Sequence, residues 1–263
     1  MRIAVGVEYD GSRFRGWQRQ ERAPSVQAAL EEALGFVADH PVALTCAGRT
    51  DAGVHATAQV AHFDSDAPRS ARAWVLGANT RLPPEIALLW AAPVEPGFHA
   101  RHSALSRSYR YVIQNRLSRP GLYRRRVCWV HEPLDAERMH EAAQALVGQH
   151  DFSAFRAAEC QSRTPVRRVE RISVRRAGEF VALDVTANAF LHHMVRNIAG
   201  TLIQVGCGER PANAVADALA SRDRAAAGPT ADAAGLYLTR VRYPPEAGLA
   251  MAEPAAWAMI PGV

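Results

Sequence analysis

The chain has 263 residues, with 31 basic against 26 acidic side chains and a net charge of +5. Every basic residue is arginine, and a GC-rich genome is one explanation for this usage. Because the chain has no lysine, Schiff-base, pyridoxal-phosphate and phosphate-loop lysine chemistry is excluded. The four cysteines are scattered, the N-terminus has no signal-peptide pattern, and no apolar run has membrane-spanning length. The sequence therefore predicts a reduced, soluble, cytoplasmic protein.

The first half of the chain contains alternating apolar residues, helical apolar stripes and capping serines. These patterns predict a strand that ends at Asp10-Gly11 and a helix that Ser25 caps and Pro41 stops. Further along they predict a strand at Val42–Cys46, a strand at Thr57–Phe63, a helix at Ala71–Ala78 capped by Ser70, and a strand at Glu85–Val94. The resulting β-α-β-β-α-β order is the split-βαβ arrangement, in which helices cover one face of a mostly antiparallel sheet.

The second half repeats this order, apart from two additional short elements. Its predicted elements are strands at Arg107–Asn115 and Val127–Val130, a helix from the Asp135 cap to Gly148, a loop from His150 to Arg163, a hairpin of Arg168–Arg176 and Phe180–Ala187 about Gly178, a helix from Leu191 to Val205, a helix at Ala212–Ala220 with Pro211 in its first turn, a strand at Leu236–Tyr243, and an irregular tail. The fold class predicted is therefore α+β with two similar lobes, residues 1–104 and 105–263. An elongated ligand would fit a cleft between or along their sheets.

Arginines are concentrated in two parts of the chain. No aspartate or glutamate lies between Pro96 and His131, a stretch with many arginines and with Tyr109, Tyr111 and Tyr123 among them. A second cluster runs from Arg163 to Arg176. An acid-free basic stretch with interleaved aromatic residues, such as the one from Pro96 to His131, favours a surface for a polyanion such as RNA, although a solvated face is the alternative.

Asp51 stands in a turn of small residues, with Gly48 three positions before it and Gly53 two positions after it. Glycines allow a sharp turn and a close approach by a large ligand. The nearby guanidinium of Arg49 favours the ionised carboxylate. Physics alone therefore indicates a turn that displays a carboxylate, a feature that ordinary loops share.

The string from Gly48 to Ala56, Gly-Arg-Thr-Asp-Ala-Gly-Val-His-Ala, closely resembles the active-site motif of the TruA family of tRNA pseudouridine synthases. Other segments resemble the family in the same order along the chain: Phe14–Gln20, Leu82–Ile86, Phe98–Arg101, Arg107–Tyr111, His150–Arg156, Phe190–Asn197 and Gly235–Leu238. The resemblance runs from about the first strand to about the last, and only the tail from Glu246 onward has no counterpart.

This resemblance implies conversion of uridine to pseudouridine at positions 38, 39 and 40 of the tRNA anticodon stem-loop. It also implies a homodimer without metal or organic cofactor, with two α+β lobes around a basic cleft. Asp51 corresponds to the family's catalytic aspartate, Arg196 to the arginine that pairs with it, and Tyr109 to the tyrosine that packs on the target base. We further expect Arg49, beside the turn, to act as a wedge or phosphate contact.

Each of these residues has a structural alternative. Arg196 lies off the apolar stripe of its helix and could face solvent, Tyr109 could be a core aromatic, and Arg49 could simply pair with an acid. Adjacent residues on a helix point about 100° apart, so His192 and His193 make a poor chelating pair, and we predict no metal.

Two other functions compete with the isomerase. One is a tRNA-binding or chaperone protein without catalysis, against which Asp51 and Arg196 argue. The other is a hydrolase with one aspartate nucleophile, for which no partner carboxylate in a comparable motif is present.

Overall fold

The computed structural model describes residues 1–249 and divides them into two compact units. Unit 1 consists of residues 1–105 together with 237–249, and unit 2 consists of residues 106–236. Within residues 1–249, no helix combines the length and the apolar character needed to cross a membrane. The predicted irregular tail lies, from residue 250 onward, outside the described residues.

Unit 1 has the predicted β-α-β-β-α-β order, followed by the last strand of the chain. Its elements are β1 (Arg2–Tyr9), α1 (Val26–Ala38), β2 (Thr45–Cys46), β3 (His55–Asp64), α2 (Ala71–Asn79), β4 (Ile86–Val94) and, from its second residue on, β10 (Leu236–Arg242). β1 pairs antiparallel with both β3 and β4, and β2 pairs antiparallel with β3. β10 pairs parallel with β3, with Tyr237 opposite His55.

The position of β10 differs from the predicted division of the chain. The sequence placed the strand Leu236–Tyr243 in a C-terminal lobe of residues 105–263, whereas nearly all of β10 belongs to unit 1. The physical reason is its backbone pairing with β3, which local sequence patterns do not report. The other division lies between Leu105 and Ser106.

Unit 2 is also a mostly antiparallel sheet with helices. Its elements are β5 (Ser106–Asn115), β6 (Cys128–Val130), α3 (Ala136–Ala143), β7 (Gly148–Asp151), β8 (Val166–Ala177), β9 (Phe180–Ala187), α4 (Met194–Gly206) and α5 (Ala214–Ser221). β9 pairs antiparallel with β5 and β8, β7 pairs antiparallel with β8, and β6 pairs parallel with β5. The mostly antiparallel α+β class is therefore confirmed.

Three predicted helix caps and the predicted hairpin are present. The side chains of Ser25, Ser70 and Asp135 accept hydrogen bonds from the backbone N–H groups three residues later, at 3.4, 3.2 and 2.9 Å. Such a bond satisfies one of the N–H groups that the first helical turn leaves unpaired. The β8–β9 hairpin turns at Gly178, which has a left-handed φ of 56°.

Several predicted elements differ from the structure in their boundaries or type. β2 is limited to Thr45–Cys46 because the backbone N–H of Leu44 donates to the carboxylate of Glu31, at 2.9 Å. α3 ends at Ala143 in a short 3₁₀ turn, and α5 begins at Ala214, after Pro211. Part of the predicted loop from His150 is the edge strand β7, whose backbone bonds to β8 need no apolar pattern of its own.

The core of each unit lies between its sheet and its helices. In unit 1, Phe63 of β3 and Trp74 of α2 meet edge to face, with ring centroids 5.1 Å apart. In unit 2, Tyr111, Leu202 and Met139 are each fully buried. Burial of a large apolar side chain of this kind stabilises the folded state by roughly 2 to 3 kcal/mol.

Candidate active site

The turn that carries Asp51 lies between β2 and β3 of unit 1. The backbone N–H of Val54 donates to the carbonyl of Asp51 at 3.1 Å, and Gly53 has a φ of 79°. This left-handed conformation suits glycine, since a Cβ would be strained there. The side chain of Asp51 is half-buried, so the sharp turn predicted around a partly accessible carboxylate is observed.

Thr50 anchors the start of this turn. Its hydroxyl bonds to the hydroxyl of Tyr9 at 2.7 Å, and its carbonyl accepts the backbone N–H of Trp17 at 2.9 Å. Thr50 is buried, so both bonds are shielded from water. The residue directly before Asp51 is therefore fixed from two sides by the N-terminal segment of the chain.

Two glycines of the N-terminal segment bring its backbone against the turn. A Cβ on Gly16 would lie 2.6 Å from the carbonyl oxygen of Thr50, and a Cβ on Gly11 would lie 1.9 Å from that of Val54. Gly16 also has a positive φ of 97°. The segment that resembles the family's N-terminus, including Trp17, thus supports the Asp51 turn rather than forming an independent exposed loop.

Arg49 is an exposed residue of the turn. On the other side of it, the carbonyl of Gly48 accepts a hydrogen bond from the side chain of Gln59 at 2.7 Å. Burial raises the pKa of the nearby Cys46 thiol to about 12, although the charge of Arg49 lowers it in part. Cys46 is therefore a neutral thiol, and Asp51 and Arg49 are the ionisable groups that the turn itself presents.

Tyr109 lies on β5 of unit 2, opposite Val185 of β9. Its ring meets Phe190 edge to face, with centroids 4.9 Å apart and an interplanar angle of 80°. Only 8% of Tyr109 is exposed. The ring is therefore well fixed, with a small accessible part.

Arg196 lies in the first turn of α4 and is half-buried. Its Nε donates to the carbonyl of Ala231 at 2.8 Å, and its own carbonyl accepts the N–H of Ala231 at 3.1 Å. The neighbouring Asn197 is fully buried and accepts a hydrogen bond from the hydroxyl of Thr230 at 2.6 Å. The loop before β10 thus fixes Arg196 through its backbone carbonyl and its Nε atom.

The geometry assumed for the two adjacent histidines is wrong. α4 begins at Met194, so His192 and His193 precede the helix, and His193 has a left-handed φ of 60°. Their ring centroids are 4.0 Å apart, much closer than neighbouring side chains on a helix would place them. The absence of a metal remains a prediction that does not rest on helical spacing.

Part of the predicted polyanion surface is occupied by contacts within unit 2. Arg110 pairs with Asp184 at 2.8 Å, and Arg116 pairs with Glu179 at 3.0 Å, with acids from a distant part of the sequence. Other arginines of the same stretch are exposed, among them Arg119, Arg124, Arg125 and Arg126. The number of arginines in the acid-free stretch therefore exceeds the number available to bind a polyanion, because folding brings acidic side chains from elsewhere in the chain next to some of them.

Sequence comparison now identifies the family. A family model described as tRNA pseudouridine synthase matches residues 6–103 and 142–244, which is most of the chain. The chain belongs to the tRNA pseudouridine synthase family. Pseudouridine synthases are isomerases, which agrees with the class of reaction expected from the Asp51 motif.

Individual relatives support the same assignment. The chain is 58% identical to a tRNA pseudouridine synthase A of Aeromonas hydrophila over 249 residues, which cover 95% of this chain and 93% of the relative. It is 59% identical to a protein of the same name from Methylococcus capsulatus over 250 residues, which cover 95% and 92% of the two chains. A similar match, with 56% identity over 244 residues, covers 93% of this chain and 92% of the tRNA pseudouridine synthase A of Photorhabdus laumondii.

The family match does not treat all the predicted site residues alike. Arg49 and Asp51 lie in its first matched range, Arg196 lies in the second, and Tyr109 lies between the two. Sequence reasoning missed the residues that support the family's turn, above all Tyr9, Gly16 and Thr50. The signal available for them was that Tyr9 and Gly11 precede the segment Phe14–Gln20 and that Gly16 lies within it.

Proposed function

We propose that this chain isomerises uridine to pseudouridine at positions 38, 39 and 40 in the anticodon stem-loop of tRNAs. The support is the family membership together with the name that the relatives share, tRNA pseudouridine synthase A. The observation that carries the proposal is the half-buried carboxylate of Asp51 on a turn that the chain builds with several backbone contacts.

The reaction exchanges one bond of the nucleotide for another. The N1–C1′ bond breaks, the uracil ring turns, and a C5–C1′ bond forms, while C5 loses a proton to solvent and N1 gains one. Product and substrate have the same atoms and oxidation level, so no electron acceptor and no net water are consumed. The protein must supply a nucleophile and a binding site that keeps the detached uracil in place.

We assign the nucleophile to Asp51. A carboxylate held in a fixed turn can add to the substrate and leave again, which divides a difficult step into two easier ones. Its backbone is fixed through Thr50 and Val54, so attack requires little rearrangement of the chain. Such positioning contributes to rate because a misplaced group loses much of its catalytic effect.

We assign substrate binding to Tyr109, Arg196 and Arg49. A nucleotide must leave the base stack before it reacts, at a cost of a few kcal/mol, and a fixed aromatic ring offsets part of this cost by packing on the base. A guanidinium near a carboxylate favours its ionised form, the role proposed for Arg196. Arg49, exposed beside Asp51, is suited to contact a phosphate.

The test is tritium release from tRNA labelled at uracil C5. The C5 hydrogen is lost when the C5–C1′ bond forms, so we expect the wild-type protein to release tritium without added metal or cofactor. Asp51→Asn should release none above background, a loss of at least about a thousandfold for removal of a nucleophile. Binding of tRNA, measured by filter retention, should stay within about threefold of the wild type.

The control is Asp66→Asn, which changes an exposed carboxylate in the same unit. Its tritium release should match the wild type. Transcripts with uridine at only one of positions 38, 39 or 40 test the site preference. A wild-type protein that binds these tRNAs without tritium release would disprove the isomerase and leave the binding function.

We also propose that the protein is a homodimer in the cytoplasm. Support for the compartment is that all four cysteines are free thiols, as is usual in a reducing environment. Support for the dimer is the resemblance to the TruA family. Light scattering of the pure protein measures its mass directly. One chain has a mass of 28.6 kDa, and we expect twice this mass.

A further inference from the structure

His55 belongs to the Asp51 motif but has no part in the proposed chemistry. It is the first residue of β3, four positions after Asp51, and only 2% of it is exposed. Its ring stacks on that of Tyr237, with centroids 4.6 Å apart and an angle of 20°. Since these two residues also face each other in the β3–β10 pairing, the ring is held firmly.

One nitrogen of this ring is the anchor for the N-terminal segment. Nδ1 of His55 lies 3.1 Å from the backbone nitrogen of Gly11 and 3.2 Å from Oδ1 of Asp10. With its proton on Nε2 the ring accepts from Gly11, and with a proton on Nδ1 it donates to Asp10, so each state bonds to one of these two adjacent residues. Nε2 is buried and has no hydrogen-bond partner among residues 1–249, which leaves Nδ1 as the polar anchor.

The carboxylate of Asp10 is the charged partner of the His55 ring. Burial by itself raises the pKa of this carboxyl, but hydrogen bonds from His55 and Ser12 outweigh that effect and hold the pKa well below its usual range. Oδ1 of Asp10 also accepts the backbone N–H of Ser12 at 2.9 Å, which caps a short 3₁₀ turn. The carboxylate therefore joins His55 to the start of the segment that supports the Asp51 turn.

This segment touches the Asp51 turn along its length. Gly11 approaches the carbonyl of Val54 so closely that a Cβ would lie 1.9 Å away, and the N–H of Gly53 donates to the carbonyl of Phe14 at 3.4 Å. Farther along, Trp17 donates to Thr50. A shift at residues 10 and 11 would therefore move the backbone on which Asp51 stands.

We propose that His55 is a positioning residue, which fixes residues 10–17 against the Asp51 turn through Asp10 and Gly11. The proposal rests on the proposed function, because its consequence is the rate at which the Asp51 carboxylate reacts. The binding of tRNA does not depend on it, since His55 is buried.

Two substitutions separate the anchor from the packing of the ring. His55→Phe keeps a ring on Tyr237 and removes Nδ1, whereas His55→Asn keeps a polar atom near the position of Nδ1 and removes the ring. We expect His55→Phe to lower kcat for tritium release at least about tenfold, with KM and the tRNA Kd within about twofold, because an ångström of misplacement costs up to about a hundredfold. His55→Asn should retain several times more kcat than His55→Phe despite a lower Tm.

Asp10→Ala is the second variant, and its kcat tests the positioning role of His55 if His55→Phe fails to fold. It leaves the stacked ring untouched and should also lower kcat with little change in tRNA Kd. A wild-type kcat in His55→Phe or Asp10→Ala would overturn the proposal, as would a rank order of kcat that simply follows Tm. Failure of the proposed function is distinguishable, since the wild-type protein would then release no tritium.

Discussion

Single residues in the N-terminal segment decide where the Asp51 carboxylate stands. Tyr9 and Trp17 bond to Thr50, and Gly16 gives the backbone room to reach it. None of these residues carries chemistry, yet each determines the position of the residue next to the nucleophile. The resemblance to the family located the segment, and the structure shows the physical contacts that it makes.

Gly16→Ala is the sharpest residue-scale test of this support. The new Cβ would meet the carbonyl of Thr50 at 2.6 Å, and the φ of 97° is unfavourable for alanine. We expect a loss of about 1 to 3 kcal/mol in the free energy of unfolding, measured by urea denaturation, together with a lower kcat.

Gly97→Ala is the matched control for Gly16→Ala. A Cβ at Gly97 meets no atom within 4 Å, and the residue has no positive φ. It should leave both stability and kcat near the wild-type values. Equal effects of the two substitutions would show that the close approach to Thr50 does not matter.

The secondary-structure elements follow local rules closely where side chains meet their own backbone. Helices α1, α2 and α3 begin directly after the residues that the sequence indicated as caps. β7 does not follow such rules, because its polar residues are ordered by the backbone of β8. Elements that depend on their own side chains were therefore predictable, and an edge strand that depends on its neighbour was not.

Ser70→Ala tests the cap of α2. The Oγ atom of Ser70 accepts the N–H of Ala73 at 3.2 Å on an exposed part of the chain. Its removal should lower the free energy of unfolding by about 1 kcal/mol, measured in urea. Ser70→Asp keeps an acceptor at the same place and should stay within about 0.5 kcal/mol of the wild type, whereas an equal loss would contradict the cap.

At the scale of the whole molecule, acid stability should depend on a buried histidine. Burial, helped by the charges of His99 and Arg2, lowers the pKa of His62 from 6.5 to about 4, and only the neighbouring Asp64 and a backbone contact oppose this. The ring accepts the N–H of Ala100 at 3.1 Å and lies 4.9 Å from that of His99. His62 is therefore neutral at pH 7 in the folded protein.

The sign of the effect follows from the direction of this shift. A depressed pKa means that the unfolded chain takes up the proton first, so the free energy of unfolding should fall as pH decreases from about 6.5 to about 4. The contribution of His62 is at most on the order of 3 kcal/mol. Urea denaturation between pH 7.5 and 4.5 measures the decline, which His62→Gln should make shallower, and an unchanged slope would contradict this account.

The sequence by itself determined the α+β class, the helix caps, the hairpin at Gly178 and the turn around Asp51. Each of these depends on residues a few positions apart, and the family motif added the expected chemistry of that turn. Tertiary structure decided the pairing of β10 with β3, the ion pair between Arg110 and Asp184, and the contact of His55 with Asp10. These contacts join residues that are distant along the chain, and local periodicity reports which side of an element is buried, not which partner buries it.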